Sequence, residues 1–383
     1  MTVTISWHEA SARRLERQFL ANPAPEGAAV PDLVSAMLGA HAQVLSAAEL
    51  SIGVRSAGLT RADVRTALWD DRSLVKTHGP RGTVHLLPAR ELPLWTAALT
   101  AVPSAPSPFP ADARLTEEQT RQILAAIGDA LDGVCLTIDA LSEEVVARTG
   151  PWAGDLVMPA FQGMWPRWRQ VMHRAGQAGA LCFGPQRGRR VTYTRPPHID
   201  PLPAQDALRA LVLRYLRAYG PATPAHCAKW LAAPARWAAG LFERLATDAA
   251  IEEVVLQGSP AWVAAGDTSF PAPEWKGVRL LPYFDAYVIA AQPRESLFPG
   301  EAYRRALAGG QAGNYPVLLV DGVVAGVWHQ RRQGRRTTVT VEALGALTAR
   351  QRRELDEQVR RVGEVLEAAP ELVLGEVTVG PHA

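Results

Sequence analysis

Cysteine is scarce in this chain, and the three that it has, Cys135, Cys182 and Cys227, lie far apart. An odd number of cysteines without CxxC spacing argues against a disulfide framework and against a zinc site built on cysteine pairs. We therefore expect a protein of the reducing cytoplasm.

Long apolar runs and the common cofactor motifs are also missing. No stretch of about 18 uncharged apolar residues occurs, so we predict no membrane span. The first residues have neither the basic nor the apolar region of a signal peptide. The sequence contains no HExxH, no GxxxxGK[ST] and no GxGxxG in a credible strand–helix context. We therefore predict neither a metal nor a nucleotide cofactor.

Lysine is nearly absent, because only Lys76, Lys229 and Lys276 occur among 40 basic residues and the other 37 are arginine. Part of this bias, like the abundance of alanine, proline and glycine, is typical of a GC-rich bacterial genome. Arginine nevertheless stays charged and binds phosphate through a bidentate fork. The net charge of only +2 does not exclude nucleic-acid binding if the positive charge is clustered.

A length of 383 residues exceeds the about 250–300 residues that one core usually supports. Helices followed by an alternating strand pair recur along the chain, with strand pairs at 74–87, 183–195 and 251–264. This order is typical of a winged-helix unit. We predict a mainly α fold with β-hairpin wings (α+β), made of three tandem winged-helix domains and a small β-rich C-terminal domain with one packing helix. The predicted boundaries are 1–110, 111–197, 198–272 and 273–383.

The sequence also predicts two helices that lie near the candidate site residues or in the second domain. The apolar spacing predicts a helix over 32–47, although Gly39 interrupts it. A second helix, rich in tryptophan, is predicted over 160–178.

Six stretches, in order along nearly the whole chain, together resemble the AlkZ/YcaQ family of bacterial winged-helix DNA glycosylases. They are LGAHAQ at 38–43, HGPRGTVHL at 78–86, FGPQRGRR at 183–190, YGPATP at 219–224, LLPYFDAY at 280–287 and VDGVVAGVW at 320–328. Each stretch alone is a weak signal, whereas six in the same order and at similar spacing are strong evidence for the family.

The resemblance implies a catalytic pair at His41 and Gln43. The family has glutamine, an apolar residue, and then glutamine or aspartate at these positions. Here the second member matches, and histidine replaces the first. The resemblance to the AlkZ branch further implies excision of bulky N7-alkylpurines or unhooking of interstrand crosslinks. It also implies self-resistance to a DNA-alkylating natural product.

The chemistry leaves the role of His41 open between two alternatives. Alkylation at N7 makes guanine a good leaving group, so the enzyme must mainly stabilise the sugar cation and aim a water at C1′. A neutral His41 could take a proton from that water, or it could only orient it. Gln43 could hold the water through its amide carbonyl. On a regular helix these residues would lie about 200° apart, so the pair requires a distortion at Gly39 or a helix end.

We expect DNA contacts from the arginines near the hairpin turns. They are Arg187, Arg189, Arg190 and Arg195 in the second hairpin, which we predict to probe the minor groove, and Arg81 in the first. His78 and Asp285 are secondary candidates for the site, with structural roles as the alternative. The plainer alternatives are a solvated polar pair at 41–43 and a solvated turn at 183–195.

The predicted function is that of a monofunctional DNA glycosylase acting as a monomer on double-stranded DNA, without an obligate protein partner. The absence of a lysine near the candidate site favours hydrolysis over strand cleavage through a Schiff base. Since a crosslinked base cannot swing freely into a deep pocket, we expect an open site facing the groove. The alternative function is that of a non-catalytic winged-helix DNA-binding protein or transcription regulator.

Overall fold

The computed structural model describes residues 3–103, 107, 109–160, 163–270 and 275–381. Helices account for 44% and strands for 23% of the structure, so the predicted combination of helices with β-hairpins is confirmed at the level of fold class. The predicted boundary at 272–273 lies outside the described residues.

The N-terminal segment (residues 3–20) and the first unit (residues 30–100) form the beginning of the chain. Their elements are β1 (Thr4–Ile5), α1 (Trp7–Arg17), α2 (Val30–Ala36), β2 (Ala40–His41), α3 (Leu45–Gly53), α4 (Arg61–Trp69), β3 (Leu74–His78), β4 (Val84–Pro88) and α5 (Leu92–Thr100). The strands of the first unit form a sheet in the order β2-β4-β3. The predicted hairpin at 74–87 is thereby confirmed.

The helix predicted over 32–47 ends at Ala36, and that prediction was wrong. Leu38 adopts a left-handed φ of 56° and Gly39 a φ of 90°. The amide of Gly39 donates to the carbonyl of Val34 and that of Leu38 to the carbonyl of Ser35, which is the Schellman pattern that closes a helix. The chain leaves this turn extended and enters β2, where His41 lies.

The second unit (residues 113–194) consists of α6 (Glu117–Ala130), β5 (Leu136–Thr137), α7 (Ile138–Thr149), β6 (Leu156–Ala160), β7 (Gly163–Pro166), α8 (Met172–Gln177), β8 (Cys182–Arg187) and β9 (Arg190–Thr194). The hairpin predicted at 183–195 is confirmed as β8 and β9. The helix predicted over 160–178 was wrong in its first half, where β6 and β7 pair instead. Proline at 166 removes a backbone donor that the interior of a helix would need.

The third unit (residues 204–264) consists of α9 (Ala204–Tyr219), α10 (Pro224–Leu231), α11 (Ala235–Thr247), β10 (Ile251–Leu256) and β11 (Ser259–Ala264). The N-terminal strand β1 adds to this hairpin in parallel with β10. Helix α5 of the first unit packs on α9, and both bury apolar side chains in one core. The third unit therefore shares a core with the first unit through α5 and a sheet with the N-terminal segment through β1.

The C-terminal unit (residues 278–374) is built on an antiparallel sheet with one parallel edge strand, in the order β12-β13-β14-β15-β16. Its elements are β12 (Val278–Leu281), α12 (Ala286–Ala290), α13 (Arg294–Leu297), α14 (Glu301–Arg305), β13 (Val317–Val320), β14 (Val323–Gln333), β15 (Arg336–Ala343), α15 (Ala349–Leu366) and β16 (Ala369–Leu374). Helix α15, which matches the one packing helix predicted for this part of the chain, packs one face on this sheet and also contacts α3.

Polar side chains begin several of these helices. Ser6, Thr116 and Thr348 each accept a hydrogen bond from the backbone three residues later, and Glu9, Gln119 and Gln351 complete reciprocal capping boxes. Such caps satisfy backbone donors that have no partner within the helix.

A buried ion pair joins the first unit to the C-terminal unit. Arg55 donates through Nη1 and Nη2 to the two carboxylate oxygens of Asp285, at 2.7 Å and 2.9 Å. Ser51 donates to the same carboxylate at 2.5 Å. Both charged side chains are 0% exposed. Asp285 was a secondary candidate for the site; its oxygens accept these hydrogen bonds and are sealed from water, which gives it a structural position, and its role in the site stays a prediction.

A second buried arginine joins three parts of the chain. Arg14 of α1 donates to the carbonyl oxygens of Gly220 and Pro221 in the third unit and of Gln292 in the C-terminal unit. Each of these carbonyls lies outside the helices and would otherwise need another donor in a buried place. Arg14 therefore fixes the junction of α1 with both units.

No helix among the described residues is long and apolar enough to cross a membrane.

Breaking the buried ion pair should destabilise the fold strongly. We expect Asp285→Asn to lower the free energy of unfolding by about 3–5 kcal/mol, because it leaves the Arg55 charge buried without a partner. The matched control is Asp32→Asn, which breaks an exposed ion pair with Arg90 and should cost about 0–1 kcal/mol. Urea unfolding measures both, and similar small losses for the two variants would contradict this role.

Candidate active site and DNA-binding surface

His41 lies in a row of side chains that crosses the first unit's sheet. It pairs with His85 of β4, which in turn pairs with Thr77 of β3. Cross-strand partners project to the same side of a sheet. The ring centroids of His41 and His85 are 4.1 Å apart, so the two imidazoles are in contact.

His41 and Gln43 lie on non-helical backbone, at the end of β2 and in the bend that follows it. Ala40 and Ala42 are fully buried in the core of the first unit, and the amide of Ala42 donates to the carbonyl of Val84. His41 therefore projects to the face opposite to Ala40, since successive residues of a strand point to opposite faces. The geometric obstacle expected for a helix does not arise, and Gln43 is exposed.

His41 is buried and uncharged. Only 9% of the residue is exposed, whereas Gln43 is exposed. Burial is the main cause that lowers the pKa of His41 well below 6.5, and the neighbouring His85 and Arg81 lower it further. A protonated imidazole in this place would face a cation at hydrogen-bond distance.

Arg81, predicted to bind DNA, instead directs its guanidinium into the protein. Its Nη2 lies 2.9 Å from Nε2 of His41, and its Nη1 donates to the carbonyl of Trp230 at 2.8 Å. Burial lowers the pKa of Arg81 to about 10, so it stays charged at neutral pH. Its φ is 60°, and a non-glycine residue in this region costs about 1–3 kcal/mol.

His85 is fixed by the turn that follows β3. Its Nδ1 carries a proton and donates to the carbonyl of Thr83 at 2.8 Å. Burial, then Arg81, lowers the pKa of His85 to about 3. A Cβ on Gly79 would lie 2.7 Å from Nδ1 of His85, so glycine is needed there for the ring to fit.

The second unit packs against β3 and against the turn between β3 and β4. Gln177 donates to the carbonyl of Gly79 at 2.9 Å, and Thr77 donates to the carbonyl of Leu181 at 3.1 Å. The position of the His41 site thus depends on the packing of α8 and β8 against the first hairpin.

His78, the other secondary candidate, packs at the same contact between the units. Its ring lies 5.7 Å from that of Phe183, and a Cβ on Gly176 would lie 2.4 Å from its Nδ1. That nitrogen is buried without a hydrogen-bond partner among the described residues. Burial, then His173, lowers the pKa of His78 to about 4. The structure therefore gives His78 a packing position, and its role in the site stays a prediction.

The hairpin of β8 and β9 presents its arginines to solvent. Arg187, Arg189, Arg190 and Arg195 are all exposed. Arg195 forms an ion pair with Asp132 at 3.2 Å, whereas the side chains of the other three make no hydrogen bond or ion pair within the described ranges. The tip is therefore available to an anionic partner.

A second basic hairpin was missed by the sequence reasoning. Arg331, Arg332, Arg335 and Arg336 surround the turn between β14 and β15, and all four are exposed. The run QRRQGRR at 330–336, with four arginines around one glycine, was the available signal.

Comparison with known proteins gives the family. The family model described as "DNA glycosylase AlkZ-like" matches residues 34–365. The chain belongs to the AlkZ-like DNA glycosylases. It is therefore an enzyme that acts on DNA, and the alternative of a non-catalytic regulator is not supported.

Relatives from Streptomyces sahachiroi agree with this assignment. The chain is 30% identical over 344 residues to "Interstrand DNA cross-link repair glycosylase", covering 84% of this chain and 87% of that protein. It also resembles the solved structure of "Streptomyces sahachiroi DNA glycosylase AlkZ", with a TM-score of 0.77 and 26% identity. That match covers 97% of this chain and all of the other.

In this glycosylase, Lys76 projects from the face of the first unit's sheet that lies opposite to His41. Lys76 of β3 pairs with Leu86, which pairs with Ala40, so these side chains project away from the side of His41. Lys76 instead places Nζ 5.0 Å from the ring centroid of Phe183. This arrangement gives no support to a Schiff base at the site.

The buried histidines should make stability depend on pH. An unfolded histidine titrates near about pH 6.5, whereas His78 in the fold has a pKa of about 4. Its contribution is present above about pH 6.5 and is lost as the pH falls, because the unfolded chain then binds the extra proton. We expect His78→Phe to reduce the slope of unfolding free energy against pH by up to about 1.4 kcal/mol per pH unit in this window.

The control for this experiment is Phe183→Leu, which disturbs the same contact without removing a titrating group. Urea unfolding between about pH 6 and pH 4.5 measures all three proteins. If unfolding free energy depends on pH with the same slope in His78→Phe as in wild type, His78 is not buried in its neutral form.

Proposed function

We propose that this glycosylase removes bulky N7-alkylated purines from duplex DNA, including purines that belong to an interstrand crosslink. The observation that carries the proposal is that His41 and the exposed Gln43 lie two residues apart on non-helical backbone within the family match. The name of the relative, a crosslink repair glycosylase, supports the same substrate class.

The reaction needs little acid assistance. An N7-alkylguanine is cationic, so the C1′–N9 bond can break with its electron pair passing to the purine, which becomes neutral. The sugar develops oxocarbenium character, as in glycoside hydrolysis. A water oxygen then bonds to C1′ and loses a proton, which leaves an abasic site and the free base. Lys76 projects from the other face of the sheet, so we propose hydrolysis without strand cleavage.

Gln43 is the residue proposed to hold the water. Its amide oxygen can accept a hydrogen bond from water, and the amide has no useful basicity. Its exposed position in the chain immediately before α3 lets it reach a substrate that does not enter a deep pocket. This suits a crosslinked base, which is tethered to both strands and cannot rotate out of the helix as an ordinary flipped base does.

Duplex binding is proposed to use the helix–hairpin units as three winged-helix domains, with both basic hairpins contacting phosphate. The arginines of the β8–β9 and β14–β15 hairpins are exposed, so their charges can attract the phosphates of the DNA backbone. We further propose a place at the nucleoid in the cytoplasm, where the substrate DNA lies. Action as a monomer and a role in self-resistance stay predictions.

Gln43→Ala should separate chemistry from folding. We expect single-turnover release of N7-methylguanine from a duplex to fall by about 10²-fold or more, the usual scale for a group that orients or activates water. The melting temperature and duplex affinity should stay near wild type, because the side chain is exposed. The control is the neighbouring Val44→Ala, also at an exposed position, which should retain full release. Full activity in Gln43→Ala would place the site elsewhere.

Neutralising Arg189 and Arg190 together should weaken binding to duplexes of any sequence. Plots of log Kd against log salt should lose about 0.9 in slope for each phosphate contact removed. The charge-matched control is neutralisation of Arg350 and Arg360, which form ion pairs on α15, and its slope should stay at the wild-type value. Equal slopes for wild type and the hairpin variant would show that this hairpin does not touch DNA.

A further inference from the structure

Arg81 is held against His41 from two directions. Its backbone has a left-handed φ of 60° in the turn between β3 and β4. Its Nη1 donates at 2.8 Å to the carbonyl of Trp230, in the last turn of α10, where the helix dipole favours a cation. This backbone conformation is unfavourable for a residue with a Cβ and persists where the surroundings enforce it, often at functional sites.

The contact between Arg81 and His41 determines where the imidazole proton lies. A guanidinium has only N–H donors. Because its Nη2 lies 2.9 Å from Nε2 of His41, that nitrogen must supply a lone pair. A neutral imidazole with a lone pair on Nε2 carries its proton on Nδ1, and an imidazolium has no lone pair to offer.

We infer that Arg81 is a positioning residue that holds His41 in the neutral tautomer protonated on Nδ1, so that His41 donates a hydrogen bond at the site and does not act as a general base. This inference rests on the proposed function and assigns a role to His41, the first residue of the proposed catalytic pair. No described residue is hydrogen-bonded to Nδ1 of His41, which leaves this donor for the substrate water.

The two residues can then hold one water between them. Gln43 accepts a hydrogen bond from the water, and Nδ1–H of His41 donates to the water oxygen. The remaining lone pair of that oxygen attacks C1′ as the bond to N9 breaks. The proton released after the C1′–O bond forms passes to solvent, so the step requires no base.

Among the described residues, the charged or titratable groups that act on His41 are His85 on β4 and Arg81 in the turn. Groups on other packed elements act on these two, His78 of β3 on His85 and Tyr219 of α9 on Arg81. Burial, His85 and Arg81 all lower the pKa of His41. Each of these influences favours the same neutral ring that the contact with Arg81 requires.

Replacing His41 by glutamine or by glutamate tests the donor role. A glutamine amide can accept from Arg81 and donate from its other end, whereas an ionised glutamate can only accept. We expect His41→Gln to stay within about threefold of the wild-type single-turnover rate, and His41→Glu to lose about 10²-fold. If His41 is a base, glutamate should be the better replacement, and that order would overturn the inference.

The tautomer itself can be read by nitrogen NMR on protein labelled with ¹⁵N in the histidine rings. The loss of a signal in His41→Gln assigns His41. Wild type should show protonated Nδ1 and unprotonated Nε2. Arg81→Met should increase the fraction of His41 that is protonated on Nε2 and lower the single-turnover rate by about tenfold or more, while Arg81→Lys should restore part of that rate. The affinity of Arg81→Met for duplex DNA should equal that of wild type. If Arg81 bound phosphate, this variant would bind the duplex more weakly.

The pH profile gives a readout that loss of packing would not move. Wild-type release should be flat between about pH 6 and pH 8. Arg81→Met should not slow as the pH falls through this range, because an imidazolium still donates from Nδ1, whereas a general base loses its lone pair when it gains a proton. A protonated Nε2 in wild type, an Arg81→Met rate that falls with falling pH, or an Arg81→Met variant with unchanged tautomer and rate overturns the inference. If wild type releases no base from any alkylated duplex, the proposed function fails, while the NMR signals still test the role of Arg81.

Discussion

The pairing of β2 with β4 is the constraint on which the site depends. A helix through 40–43 would hold His41 and Gln43 about 200° apart, whereas the chain leaves the turn at Leu38 and Gly39 as a strand and bends at Gln43. The same pairing brings His41 against His85 and within reach of the turn that carries Arg81. A two-residue strand therefore organises the proposed catalytic pair and its support, although it adds little to the sheet itself.

Buried arginines connect this short strand to the rest of the chain. Arg55 ties α3, which follows Gln43, to Asp285 of the C-terminal unit, and Arg14 fixes α1 against two other units. Arg81 reaches the end of α10 through the carbonyl of Trp230. Each guanidinium donates to carboxylate or backbone oxygen, as buried cations require, although Nε of Arg55 has no hydrogen-bond partner among the described residues. The site is thus held by contacts from several units, while its Gln43 remains exposed on an open surface.

Local patterns in the sequence predicted the elements whose causes are local. The hairpins at 74–87 and 183–195 follow from alternation around glycine turns, and α15 follows from its helical period. The helix over 32–47 failed because apolar spacing cannot show that Leu38 adopts a left-handed conformation or that 40–41 pair with a strand some 45 residues later. His41 and Gln43 came from family resemblance. The inward direction of Arg81 depends on Trp230, which is 149 residues away, and no local pattern contains it.

A crystal structure of the enzyme on a duplex that contains a cationic azasugar in place of the damaged nucleoside tests this account most directly. The azasugar nitrogen replaces C1′ and carries the charge of the oxocarbenium-like state. The account predicts a water beside that nitrogen, within about 3.2 Å of both the amide oxygen of Gln43 and Nδ1 of His41, with Arg81 still on Nε2. An azasugar placed away from Gln43, or a water held by other side chains, would contradict it.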